Sequence, residues 1–494
     1  MKTNPFKNSY VDLGRDFYQS IKPTPVHNPQ LIIYNRELAD ELGLDETPLN
    51  ASADVSVFAG NEVPEGAGPI AMAYSGHQFG HFNPQLGDGR AILLGQMESP
   101  GGRSFDIHMK GTGQTAFSRN GDGRAALGPV LREYLVSEAM ARLGVPTTRA
   151  LAAVTTGEEV IRERLLPGGI ITRIAASFVR IGTFEYFLAR GDKAGLTRLA
   201  DYMIEQYYAD LKQAENRYLA LLDAIIEGQA ALIAQWMQLG FIHGVMNTDN
   251  MSIACETIDY GPCAFMDHYA HDRVYSSIYH DGRYAYNKQP NIGLWNLSRF
   301  AECLLPLIDE DQNTAVEMAK DQLERYINAY QEHWLTGMCA KLGLATVLDE
   351  DKALVENLFT IMASNNADFT LTFYRLSMLD LDASNDDVML DLFDDVDDAG
   401  SFTQWLDQWR QRLSLEASEN DERKAMMRAV NPVYIPRNHL LEAAIRAAED
   451  HADFSVFHAL HEVLQHPYDF QPGKEAYMQP PLPHEVVQQT FCGT

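Results

Sequence analysis

A chain of 494 residues with 39 Lys and Arg against 68 Asp and Glu carries a net charge of −29. Its field repels phosphate backbones and anionic lipid, which argues against broad nucleic-acid or membrane-surface binding and leaves room only for a local basic pocket. With 46% hydrophobic and 10% aromatic residues it can bury a large core, so global disorder is excluded. The five cysteines, Cys255, Cys263, Cys303, Cys339 and Cys492, are too scattered for a disulfide framework or a CxxC zinc site. The start MKTNPFKNSYVDLGRD has no apolar h-region and no Arg-rich amphipathic pattern, and no uninterrupted apolar run reaches the roughly 18 residues of a membrane span. A cytoplasmic protein is the expectation.

In chain order, residues 1–85 are rich in turn residues and read as irregular structure with short helices. RAILLGQMES and SFDIHMKG read as strands around the turn Pro100-Gly101-Gly102. A helix follows, with Pro129 in its first turn, Leu131, Leu135 and Ala139 at i+4 spacing, and Gly144 at its end. RALAAVTTGEEVIRERL reads as a hairpin about Thr156-Gly157, and GIITRIAASF as a further strand. From about residue 182 helices dominate, including one long apolar helix over 215–240 and most of 296–465. The expected fold class is α+β, with a strand-rich half, 1–181, in close contact with a helical half, 182–494. The run 380–398 holds nine Asp residues and begins like a calcium loop. Asn385 stands where that loop needs glycine, and Asp391 where it needs glutamate, so a solvated acidic loop or helix edge is expected.

The most informative stretch is Phe241-Ile-His-Gly-Val-Met-Asn-Thr-Asp-Asn250, closed by Asp259-Tyr-Gly. A long helix, a polar loop, a short strand and an Asp-x-Gly turn follow one another as in the catalytic segment of a protein kinase. His243 and Asn250 have that segment's spacing, and Asn250 and Asp259 supply oxygen ligands suited to a hard divalent cation. The usual kinase aspartate is missing: Val245 stands in its place, and Asp249 is the nearby carboxylate that could serve instead. Capping or bracing a loop is the simpler role for Asp249 and Asn250. Lys110 ends a strand as the nucleotide-binding lysine of a kinase does, with Glu133 as its candidate partner and Glu138 as the competitor. Two similar turns, Gly87-Asp88-Gly89-Arg90 and Gly121-Asp122-Gly123-Arg124, allow close backbone approach to phosphate. Arg173 and Arg180 could clamp a terminal phosphate. His77 and His81 in GHQFGH have the spacing of a helical zinc pair, but the flanking glycines point to a packing or site-wall role. No Gly-x-Ser-x-Gly elbow is present.

The stretches 75–95, 110–140, 171–187 and 243–267 together resemble the selenoprotein O family, also called the protein nucleotidyltransferase YdiU family. The resemblance implies a two-lobed protein-kinase-like fold that transfers AMP from ATP to Ser, Thr or Tyr hydroxyls of proteins, with ATP bound in a reversed orientation. It assigns Asp249 as proton acceptor and Asn250 and Asp259 as ligands of Mg2+, with Mn2+ as the alternative. It sets Gly87, Gly89, Arg90, Lys110, Asp122, Gly123, Arg173, Arg180 and Asp259 around the nucleotide. The partners it implies are ATP and hydroxyl-bearing proteins, self-modification included. Three alternatives stay open: UMP transfer with manganese, ordinary phosphoryl transfer, and an inactive nucleotide-binding scaffold, for which Val245 speaks. Family members often carry a cysteine near the C-terminus, here Cys492. Cys263 is the nearest partner for a regulatory disulfide.

Overall fold

The computed structural model describes residues 6–50, 52–275, 282–393, 400–487 and 490. Cys492, and with it the expected disulfide, lies outside them. In chain order the first half forms β1 (Tyr18–Ser20), β2 (Gln30–Tyr34), α1 (Arg36–Leu42), α2 (Val55–Phe58), β3 (Ile70–Met72), β4 (Gly76–Gln78), β5 (His81–Asn83), β6 (Ala91–Glu98), β7 (Ser104–Lys110), β8 (Ala125–Ala126), α3 (Leu127–Arg142), β9 (Arg149–Ile161) and β10 (Leu165–Ala175). Seven of these strands form an antiparallel sheet in the order β1-β3-β6-β7-β10-β9-β2, with β8 joined to β10, and β4 and β5 make a separate hairpin. Residues 1–85 thus contribute five strands where sequence suggested irregular structure. Those strands are mostly three residues long, too short for alternation to reveal.

Strand β7 shows why the sheet has two different faces. Phe105, Ile107 and Met109 point into an apolar cluster with Leu38, Phe58, Ile170 and Ile174. Asp106, His108 and Lys110 alternate onto the opposite face, where α3 and the second half of the chain lie. Strand β9 runs unbroken through Thr156-Gly157, and the hairpin to β10 turns instead at Arg162–Arg164. Gly157 has φ +70°, and a Cβ there would stand 2.6 Å from the Asn28 carbonyl oxygen. The glycine answers a close approach of the chain across the strand, and the turn expected there does not form.

The second half is helical: α4 (Ile181–Leu188), α5 (Lys193–Tyr207), α6 (Arg217–Gln238), then β11 (Phe241–Ile242) and β12 (Ala264–Phe265), α7 (Gln289–Ile308), α8 (Gln312–Lys341), α9 (Asp351–Asn365), α10 (Phe369–Leu376), α11 (Ser401–Leu413), α12 (Asn420–Val430), α13 (Asn438–His451) and α14 (Ser455–Leu464). Helix α6 starts where the Asn216 side chain accepts from the Leu219 N–H. By length and composition it could cross a membrane, yet Leu221, Ile225, Leu232 and Trp236 are buried in this fold, and it packs on α7 and α8. The short strand expected between Asn250 and Asp259 is absent. Ser252 and Thr257 make isolated bridges to Arg180 and Thr147, and β11 pairs with β12.

One apolar core runs through both halves, from Leu131 and Phe184 to Leu232, Trp409 and Phe457. Helices α13 and α14 return to pack on α3: Phe457 and His461 meet the Tyr134 ring, and Glu449 Oε1 accepts from the Gly128 N–H at 2.8 Å in the first turn of α3. Arg437, just before α13, is buried against Asp267 at 2.5 Å and Asp368 at 2.8 Å. In the acidic run, Asp380, Asp386 and Asp391 pair with Lys424, Arg410 and Arg375. The described part of that run is the exposed acidic segment that was expected, with three of its carboxylates tied back to basic side chains.

Candidate active site

Strand register sets the first residues of the site. His108 on β7 lies directly across from Arg173 on β10, and Lys110 is two residues further along the same face of β7. Helix α3 passes beneath and offers Glu133, whose two oxygens take Lys110 Nζ at 2.7 Å and Arg173 Nη1 at 2.8 Å. Glu138, the competing partner for Lys110, is instead held by Arg149, Asn35 and the Ala150 N–H. Behind Arg173 stands a pair that sequence reasoning missed. Arg173 Nη2 donates to His108 Nδ1 at 2.9 Å, which leaves Nε2–H to donate to Asp88 Oδ2 at 3.3 Å. The alternation of His108 with Lys110 was the available signal.

The loop after α6 supplies the rest. His243 is buried, and burial holds it below its ordinary value and hence neutral. Its Nε2–H donates to the Ile258 carbonyl at 3.0 Å and so braces the turn that carries Asp259. Asp259 has φ +61°, the left-handed region that residues other than glycine seldom adopt. Its carboxylate faces Lys110 at 3.2 Å, Arg173 at 3.0 Å and Arg180 at 3.2 Å. Burial would raise its proton affinity, but Lys110, Arg173 and Arg180 outweigh that and hold Asp259 well below the usual carboxylate range. Arg180, at the start of α4, also donates to the Asp249 carbonyl at 2.7 Å and lies 4.5 Å from the centre of the Tyr74 ring.

Asp249 is buried on a short turn, Thr248–Asn250. Burial raises its carboxyl to about 6, against the pull of a hydrogen bond from Gln78 and of the Arg180 charge. Gln78 Nε2 donates to Oδ2 at 3.0 Å, while Oδ1 is buried without a partner. Asn250 donates through Nδ2 to the Val245 carbonyl at 3.0 Å, so the donor end of its amide is engaged and the oxygen is the end that could accept or ligate.

Gly87, Gly89, Arg90, Lys110, Asp122, Gly123, Arg173, Arg180, Asp249, Asn250 and Asp259 all border one cavity of about 660 Å³. That volume falls in the range of small-molecule sites, roughly 300–1,000 Å³. The two Gly-Asp-Gly-Arg turns meet across it but differ in detail. Asp88 is buried under the Met72 N–H and His108, whereas Asp122 sits toward the rim and is held by Arg162 at 2.8 Å. His77 and His81 belong to the β4–β5 hairpin. His77 Nδ1 meets Glu185 at 2.5 Å and His81 is exposed, so the pair is not arranged around an ion. Among the described residues no three His, Cys, Asp or Glu side chains group around a common point. Cys263 is buried, and burial pushes its thiol up to about 11, far from a reactive thiolate.

Comparison with known proteins matches the chain to a family. The family model for protein adenylyltransferase SelO matches residues 1–465. The chain belongs to the SelO family. A protein nucleotidyltransferase YdiU of Rhizobium etli is 57% identical over 489 residues, covering 99% of this chain and 97% of its own length. The proteins of the same name from Rhizobium meliloti and Rhodopseudomonas palustris are 57% and 54% identical, each alignment covering 99% of both chains. As a member of the SelO family the chain is a nucleotidyltransferase enzyme, acting on a nucleotide and a protein.

Proposed function

We propose that this enzyme transfers AMP from Mg2+-ATP to Ser, Thr or Tyr hydroxyls of proteins in the cytoplasm, using a two-lobed kinase-like frame with the nucleotide reversed. The observation that carries the reading is the cluster of Lys110, Arg173 and Arg180, converged on Glu133 and Asp259 in the cavity that also holds Asp249. Lys110 paired to Glu133, a loop bearing Asp249 and Asn250, and Asp259 on a strained turn follow the order of a kinase. Arg173 and Arg180 are buried, so phosphates drawn to them would lie deep. In that pose the β- and γ-phosphates occupy the cationic end and the α-phosphorus faces Asp249 and the acceptor.

The residues fit a magnesium ion. Asn250 and Asp259 offer oxygen donors on one cavity, and a two-ligand set suits an ion that keeps waters and takes substrate phosphate oxygens. Bound there, the ion would neutralise phosphate charge. The hydroxyl oxygen of the acceptor forms a bond to the α-phosphorus as the bond to the bridging oxygen of pyrophosphate breaks, and pyrophosphate leaves with the electron pair. Asp249 receives the hydroxyl proton. Arg173 and Arg180 hold the leaving group and balance charge growing on it. Val245 is tolerated because the attacked phosphorus is not the one a kinase presents.

Parallel reactions with ATP labelled at the α- or the γ-phosphate test this. Label from the α position should appear on protein, with pyrophosphate as the other product. Label from the γ position on protein, with ADP released, would identify a kinase instead. UTP with Mn2+ in the same assay measures the competing nucleotide.

A further inference from the structure

The β4–β5 hairpin grips the loop that carries Asp249 at three consecutive residues. The His77 N–H donates to Thr248 Oγ1 at 2.7 Å, Gln78 Nε2 donates to Asp249 Oδ2 at 3.0 Å, and the Phe79 N–H donates to Asn247 Oδ1 at 3.0 Å. The grip is anchored from α4: Glu185 accepts from Thr248 Oγ1 at 2.5 Å through one oxygen and meets His77 Nδ1 at 2.5 Å through the other. Tyr284 adds a hydrogen bond to Asn247 Oδ1 at 2.6 Å.

The two oxygens of Asp249 are treated differently. Oδ2 is pinned by Gln78, whereas Oδ1 is buried with no partner. Oδ1 lies against the Gly76 backbone, so the single hydrogen bond from Gln78 is the side-chain contact that sets the carboxylate's orientation. Room for that atom comes from Gly76, where a Cβ would stand 2.4 Å from Oδ1. A hydrogen bond to one oxygen biases the carboxylate toward one setting about its last bond and so favours a single aim for the group.

We propose that Gln78 is a positioning residue that holds the Asp249 carboxylate in the setting from which it receives the hydroxyl proton. This rests on the reading of Asp249 as the proton acceptor. It gives the motif GHQFGH a task in catalysis that its histidines alone did not suggest, since its glutamine and its first glycine shape the carboxylate.

The test uses the full chain with Mg2+, α-labelled ATP, and casein together with the enzyme itself as acceptors. Gln78→Met keeps the length of the side chain and removes its donor. We expect kcat to fall roughly 10- to 100-fold, the usual size of a misplaced catalytic group, with the KM for ATP within about two-fold of wild type. Gln78→Ala should lose no more than Gln78→Met. Wild-type kcat in Gln78→Met, or a raised KM at unchanged kcat, would overturn the proposal by showing that only packing matters. A second measurement introduces Gln78→Met into Asp249→Asn. We expect less than about a two-fold further loss there, because the glutamine has no carboxylate left to aim. An equal loss in both backgrounds would show that Gln78 acts independently and would refute its positioning role. Failure of the underlying reading looks different: Asp249→Asn alone would then turn over like wild type.

Discussion

At the scale of single residues, Asp259 binds three cations that the proposed reaction assigns to the nucleotide. On that reading, phosphate oxygens entering the cavity compete with Asp259 for Lys110, Arg173 and Arg180. Asp259→Asn should therefore abolish transfer, yet tighten the binding of ATP in the absence of metal by about ten-fold, the worth of a charge-assisted contact. Calorimetric titration with EDTA present reads that sign directly. Arg180→Ala should weaken ATP more than AMP, by roughly ten- to a hundred-fold, since only ATP brings a γ-phosphate. Competition against a fluorescent nucleotide would measure the ratio, and equal loss for both ligands would remove Arg180 from the terminal phosphate. Asp249→Ala should slow transfer roughly 10²–10⁴-fold with ATP still bound, the usual size of a lost general base. Wild-type turnover in that variant would end its assignment. Asp249, Asn250 and Asp259 could be picked out from sequence because one short stretch holds them in order. Gln78, Thr248 and Glu185 could not, because hydrogen bonds joining residues 171 and 63 positions apart leave no mark on either segment.

Among the elements, α3 and β7 do the most to define the site. From neighbouring positions on α3, Arg132 reaches the Gly261 carbonyl at 3.2 Å and Glu133 binds Lys110 and Arg173. One rigid helix thus sets both the strand cations and the turn after Asp259. The helix could be read from periodicity, because i+4 spacing survives in a single sequence, whereas sequence alone leaves its link to Lys110 open between Glu133 and Glu138. Of the site face of β7 only Lys110 could be picked out, since Asp106 and His108 resemble an exposed edge until the sheet is closed. Asp106 carries a testable consequence. Burial raises its carboxyl to about 7, against hydrogen bonds from the Phe178 N–H and Gln96. The folded state then keeps a proton that the unfolded chain, with a carboxyl near 3.9, has already lost. Its contribution to stability should fall as pH rises between about 4 and 7, and Glu256, raised to about 8 by burial, acts in the same direction. His108, His243, His439 and His461, whose protonation burial opposes, act the other way below about 6.5, so the contribution is read as a difference: in urea unfolding from about pH 5 to pH 7.5, Asp106→Asn should shift the slope by one proton relative to wild type. An unchanged slope in that variant would mean that Asp106 is ionised in the fold.

Across the whole molecule, the acidic sequence conceals how many buried charges hold distant segments together. Arg437 joins Asp267 and Asp368 to the start of α13. Arg437→Met would leave two carboxylates facing each other out of water, so we expect a loss of about 3–5 kcal/mol, read as a lower urea midpoint. Little change would mean that water reaches the pair. The return of α13 and α14 onto α3 also has a bearing on the timing of synthesis. Gly128 and Glu449 are 321 residues apart. At about 5–20 residues per second a ribosome needs roughly 15 to 60 s to travel from one to the other. For that interval the nascent α3 lacks the cover that settles it, and the Tyr134 ring awaits Phe457 and His461. The helix that bears Glu133 gains this support only once α13 and α14 have emerged and folded back. A product that stops short of Glu449 is therefore expected to hold α3, and with it Glu133, less firmly than the longer chain does.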